Sequence, residues 1–167
     1  MDAGLILPPL PRQVEADVRI DEVRRVLSAH ALPLWTRGEI VVPWLERTPA
    51  LDAALVRARS TGRMRRGLED AVASLDAQRR GLLAGQDVRV SRLLVCADDG
   101  AERFYRTVER TLKSHAPRVL ACVLDADAAT LGQLLLGAEA TVRCVLVEHK
   151  EAVADVLLSL ATAEPVP

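Results

Sequence analysis

The reading of this chain turns on Arg57-Ala58-Arg59-Ser60-Thr61-Gly62-Arg63-Met64-Arg65-Arg66-Gly67, continued by Leu68-Glu69-Asp70-Ala71-Val72-Ala73-Ser74-Leu75. Five arginines fall between positions 57 and 66, on the end of one helix and on a turn between two glycines. Upstream, Pro49 precedes Leu51, Ala54, Leu55 and Ala58 at helical spacing, which predicts a helix from Ala50 to about Arg59. Downstream, Gly67 opens a second helix, in which Leu68, Val72 and Leu75 keep that spacing to about Arg79. A helix start offers unpaired N–H groups and a positive dipole end, and guanidinium groups beside it bond phosphate oxygens. Arg63, Arg65 and Arg66 would supply that charge and Gly67 the close approach. The competing reading of such a run is an ordinary solvated helix face.

Beyond a loop bracketed by Gly81 and Gly85 the chain alternates: strand 92–97, helix 101–115, strand 119–124, helix 128–136, strand 141–147, helix 150–161. Such alternation predicts an α/β fold, a three-layer α/β/α sandwich with a small central sheet. Residues 1–49 read as an N-terminal addition to a domain spanning 50–161, and 162–167 as a flexible tail. Within the addition, Pro8, Pro9 and Pro11 predict an extended or loose start. Val23, Val26 and Leu27 fit a helix from Asp21 to Ala29, and residues 32–45 a hairpin turning at Arg37-Gly38. Pro43 then confines its second strand to a sheet edge. Trp35 and Trp44 read as anchors of that hairpin on the main domain.

Half of the 167 residues are hydrophobic and 27% are charged, which fits one globular domain with a real core. Aromatics make up only 2%, so the core is built from Leu, Val and Ala, and the composition argues against a platform of base-stacking rings. The net charge of −1 is unevenly spread: residues 57–92 carry nine basic and four acidic side chains. That suits a local anion site better than a wholly basic coat. Cys96, Cys122 and Cys144 each lie in an apolar run, with no histidine or second cysteine at ligand spacing, so they read as small buried hydrophobes. Their odd number and the absence of a basic n-region at the N-terminus predict a cytoplasmic setting. No apolar run approaches the roughly 20 residues of a membrane helix, and no membrane partner is expected.

A second charged constellation competes. Asp98, Asp99, Asp125 and Asp127 all follow apolar strands, where α/β folds place Mg²⁺ or phosphoryl chemistry. No strand ends in the lysine such a site needs, and Asp127-Ala128-Ala129-Thr130 has the form of a helix cap. His30 and His115 sit near helix ends, and no serine or cysteine stands in an activated setting. The expectation is therefore no catalytic residue, metal, cofactor or small-molecule substrate: a non-enzymatic protein.

Residues 54–72 resemble the opening of the YlxQ-like proteins, members of the superfamily of kink-turn-binding ribosomal proteins. The shared pattern is a helix, the turn Ala58-Arg59-Ser60-Thr61-Gly62, and a second glycine, Gly67, leading into the next helix. Leu93-Leu94-Val95-Cys96-Ala97-Asp98-Asp99-Gly100 resembles the family's first central strand. Leu131-Gly132-Gln133-Leu134-Leu135-Leu136-Gly137 resembles its later glycine-bearing helix, so the likeness covers about 50–161. Residues 21–49 only faintly resemble the small YlxR domain that precedes this module in some bacteria, and its glycine–arginine–glycine signature is absent. The resemblance implies a sandwich that grips structured RNA, or the ribosome, at the second helix's N-terminus. The implied RNA-binding residues are Arg59, Gly62, Arg63, Arg65, Arg66, Gly67, Glu69, Asp70, Ala138 and Glu139. Kink-turn binders carry Asn-Glu and then a Lys; this chain has Glu69-Asp70 and Ala73 there. An ionised carboxylate only accepts, so Glu69 does not reproduce an amide's donor and acceptor pattern. What survives is looser RNA binding through the arginines; the alternative is a protein-interaction or assembly module on the same fold.

Overall fold

The computed structural model describes residues 5–82 and 88–162. In chain order it contains α1 (Arg12–Glu15), α2 (Ile20–Ala29), β1 (Ala31–Pro33), β2 (Val41–Leu45), α3 (Pro49–Ser60), β3 (Met64–Arg66) and α4 (Leu68–Arg80). There follow β4 (Arg92–Cys96), α5 (Glu102–His115), β5 (Val119–Leu124), α6 (Ala128–Leu136), β6 (Cys144–Val147) and α7 (Lys150–Ser159), with a short 3-10 turn at Leu160–Thr162. The strands form one mixed sheet in the order β1-β2-β5-β4-β6-β3. β2, β5 and β4 run parallel, while β6 is antiparallel to both β4 and β3, and β1 to β2.

Apart from Arg92 at the start of β4, the central strands are apolar because helices cover both faces of the sheet. Along β5, Leu120, Cys122 and Leu124 enter one core, whereas Val119, Ala121 and Val123 enter the other. The first core takes α1, α2, α3, α6 and α7 through Val14, Leu27, Leu55, Leu131 and Val153; the second takes α4 and α5 through Leu75 and Val108. The α/β/α layering predicted from the alternation is therefore the one observed. All three cysteines are free and buried, and burial pushes the Cys122 and Cys144 thiols up to about 12.

Several boundaries differ from the sequence reading, each for a physical reason. Residues 141–147 are strand only from Cys144, because Val142 donates its N–H to Ala128 O (3.0 Å) instead of joining the ladder. The last helix yields to a 3-10 turn at Leu160, before the predicted end at 161. Gly85 and residues 163–167 of the predicted tail lie outside the described residues. Near the start, Leu10 is buried, and Val90 donates to Pro9 O (2.8 Å), so the proline segment is extended and tied down. The hairpin forms, but β2 is interior to the sheet and not its edge. Pro43 lies opposite Ala31 of β1, but it is tolerated because the N–H bond toward β1 comes from Trp44 to His30 O (2.8 Å) and the parallel ladder to β5 begins only at Trp44. The segment read as an N-terminal addition contributes two of the six strands and, through Leu10, Val14, Val23, Leu27 and Leu45, part of the first core.

Trp35 anchors the hairpin as its sequence position suggests. Its Nε1 donates to Glu109 Oε2 (2.9 Å), while the N–H groups of Glu39 and Ile40 donate to Glu109 Oε1 (2.7 and 2.8 Å).

Candidate nucleic-acid interface

The arginine segment is built on two local devices. α3 starts with Thr48, whose hydroxyl accepts the Leu51 N–H at 3.1 Å. It ends on Gly62 at φ 73, with Gly62 N–H donating to Arg59 O and Arg63 N–H to Ala58 O. Those two bonds are the glycine C-cap of a helix that ends in a left-handed residue. Gly62 is thus required by the helix stop itself. The chain then does not remain a turn: Met64, Arg65 and Arg66 pair with Val147, Leu146 and Val145 as an edge strand. Gly67 breaks that strand at φ 86, donates its N–H to Cys144 O (2.9 Å) and accepts from Ala71 N–H as α4 begins.

Three of the five guanidiniums meet carboxylates on α7 or just before it. Arg57 forms a two-point pair with Asp155 (2.9 and 3.0 Å), Arg63 reaches Glu151 at 3.4 Å, and Arg65 bonds Glu148 at 2.9 Å. Glu148 also accepts from Ser74 and Gln78, so Arg65 is the most firmly held of the five. Arg66 has no carboxylate partner among the described residues and donates to Thr141 O at 3.3 Å. Arg59, on the last turn of α3, is exposed, and its guanidinium has no partner among the described residues.

The α4 start carries no side-chain cap, and a Cβ placed on Gly67 would meet nothing within 4 Å. Glu69 and Asp70 are both exposed in its first turn, where carboxylates favour the helix dipole. Ala138 and Glu139 lie exposed on the loop after α6, which turns through Gly137 (φ 104) and Glu139 (φ 66). Gly132 holds this loop against α6: a Cβ there would sit 2.2 Å from Ala140 O. Arg66 reaches this loop at Thr141 O, and Gly67 bonds Cys144 at the start of β6, so Arg65, Arg66, Gly67, Glu69 and Asp70 share the β3–α4 corner while Ala138 and Glu139 lie further along the loop. Arg59, Gly62 and Arg63 lie upstream, on the α3 end and the turn beyond it. The three carboxylates that meet the arginines were missed, although Glu148, Glu151 and Asp155 recur at helical spacing in the sequence.

The aspartates resolve differently. Asp127 caps α6 by accepting the Thr130 N–H (2.7 Å), as its sequence context predicts. Asp99 accepts from Ala128 N–H (3.0 Å) and Asp125 from Arg47 N–H (2.7 Å). Among the described residues no group of three or more His, Cys, Asp or Glu is placed to hold a metal ion.

The structure is a mixed α/β sandwich with an arginine-bearing strand at one edge. No family model matches the chain, and no curated protein does. Two solved structures resemble it at low identity. One is a protein with unknown function from Bacillus halodurans C, 14% identical over 70% of this chain and 99% of its own, with a TM-score of 0.48. The other is a Giardia lamblia 15.5kD RNA binding protein, 13% identical over 67% of this chain and 81% of its own, with a TM-score of 0.47. Likeness at that level carries no argument about what this chain binds. No described helix is long and apolar enough to cross a membrane.

Proposed function

We propose that this protein binds structured RNA or a ribonucleoprotein surface, without catalysis, as a cytoplasmic relative of the kink-turn-binding superfamily whose base-reading motif has been lost. The observation that carries the reading is the bare, glycine-opened α4 start, set beside Arg66 and the 137–143 loop. Arg59 and Arg66, free of carboxylates, are the first guanidiniums available to phosphate, and the exposed Arg57 and Arg63 pairs can exchange for it. Glu69, Asp70 and Ala73 replace the residues that would read a kink-turn, so affinity comes from the RNA backbone.

The test is fluorescence anisotropy of a labelled structured RNA at low salt. Arg59→Ala with Arg66→Ala weakens binding about tenfold or more, while circular dichroism shows an unchanged fold. Unaltered binding by the folded double variant removes the reading. The pairing of Arg57, Arg63 and Arg65 with acidic residues supports a second reading, a protein-docking edge that tolerates added salt.

A further inference from the structure

Helix α5 commits its apolar side chains, Tyr105, Val108 and Leu112, to the second core. On its opposite side Arg103, Arg106, Arg110 and Lys113 recur at steps of three, four and three residues, and all four are exposed. With about 3.6 residues per turn they fall in one narrow stripe, and at about 1.5 Å per residue the stripe is about 15 Å long. Against these cations the helix exposes one carboxylate, Glu102, because Glu109 is buried. The flanks carry further exposed cations. Arg37 lies between Trp35 and Glu39, which both touch the stripe, and Arg79 donates to Ser114 O. The acidic neighbours there are Glu39 and Asp76.

The fold itself gains nothing from this arrangement. Like charges three or four residues apart oppose a helix, and Arg103 with Arg106, Arg106 with Arg110, and Arg110 with Lys113 make three such neighbours in a row. Arg103 also stands in the first turn, where the helix dipole disfavours a cation. Two of the four are balanced: Arg106 bonds Glu102 and lies over the Trp35 ring, and Lys113 bonds Glu39 at 2.8 Å. The guanidiniums of Arg103 and Arg110, two turns apart on one ridge, have no partner among the described residues. A polyanion laid along the stripe would remove the repulsion and occupy both free groups. Cations in a line meet a chain of phosphates at several points, whereas a single small anion meets one of them.

We propose that the outer face of α5 is a second contact strip for the RNA phosphate backbone, led by Arg103 and Arg110, with Arg106, Lys113 and Arg37 adding charge. The proposal rests on the RNA reading for the identity of the polyanion. It adds that bound RNA covers the layer formed by α4 and α5 and not the β3–α4 corner alone. Both helices pack on the same face of the sheet, and they are tied together where Arg79 meets Ser114 O and His115 meets Asp76, both at 2.9 Å. Contacts of this kind hold and orient the backbone without reading bases.

The experiment measures fluorescence anisotropy of a labelled RNA hairpin with the full chain. The variant Arg103→Gln with Arg110→Gln keeps good helix formers at both positions. Its affinity falls about tenfold, and its dependence on the logarithm of salt concentration becomes shallower by about 2. Its thermal midpoint is equal to or above that of the wild type, because the repulsion is gone. Arg106→Gln with Lys113→Gln loses less, since those two cations are already balanced. Unchanged affinity and slope in the Arg103 and Arg110 variant overturn the proposal, and the RNA reading still stands if Arg59→Ala with Arg66→Ala weakens binding. A wild-type chain that does not bind the hairpin removes both. Competition by polyglutamate as effective as by unlabelled hairpin of equal charge assigns the strip to an acidic protein and overturns the proposal as well.

Discussion

The two ends of the sheet are both three-residue strands, β1 and β3, and they are secured by opposite means. At the β1 end, the hairpin connection closes on Glu109, which is only 6% exposed and takes three N–H donors. The Arg106 guanidinium lies 5.0 Å over the Trp35 ring beside it. At the β3 end, Arg57 and Arg63 meet the solvent-accessible carboxylates of Asp155 and Glu151 on α7, and only the pair of Arg65 with the half-buried Glu148, just before α7, is backed by further bonds. A buried carboxylate with several donors is hard to displace, whereas an exposed ion pair contributes about 1 kcal/mol at most. One end is therefore fixed structure, and the other is charge that an incoming anion can capture.

The largest expected effect tests the fixed end. Glu109→Ala strands the indole of Trp35 and two backbone N–H groups, and should cost about 3 kcal/mol in urea unfolding. The same residue predicts a pH dependence. Burial works to raise its pKa, but the donors at Ile40, Trp35 and Glu39 overcome this and hold it below the usual range. A depressed carboxylate stabilises the fold above its unfolded pKa, and that contribution disappears as pH falls through the lower folded value. Wild-type stability should therefore drop in the acid limb, and Glu109→Gln should flatten part of that drop. A loss for Glu109→Ala no larger than a surface substitution would erase the contrast between the two ends.

The smallest expected effect tests the labile end. Asp155→Asn releases Arg57 and should change stability by about 0.5 kcal/mol or less. RNA affinity should rise slightly in the same variant, because a guanidinium is freed. A large stability loss would show that this edge, too, is fixed structure.

The sequence revealed the fold where signals are local. The continuous apolar runs at 93–97 and 119–124, each bounded by polar residues, mark strands buried on both faces. Pro49 and Asp127 mark helix starts through chemistry contained within four residues. β3 was hidden because Met64-Arg65-Arg66 has no apolar pattern; only pairing with β6, about eighty residues later, makes it a strand. The Pro43 reading failed for the same reason, since the neighbour of β2 is set by chain returning at β5. At the arginine edge the residue types were legible, but their pairing was not. Arg57 and Arg65 find partners 98 and 83 residues away, and no local rule says which guanidiniums stay unpaired.

Salt dependence of RNA binding tests the central claim most directly, because each phosphate contact releases counterions. For the wild-type chain, the logarithm of affinity should fall steeply and linearly with the logarithm of salt concentration. In Arg59→Ala with Arg66→Ala the slope should become shallower by about 2. A flat wild-type slope, or an unchanged slope in the double variant, would contradict the account.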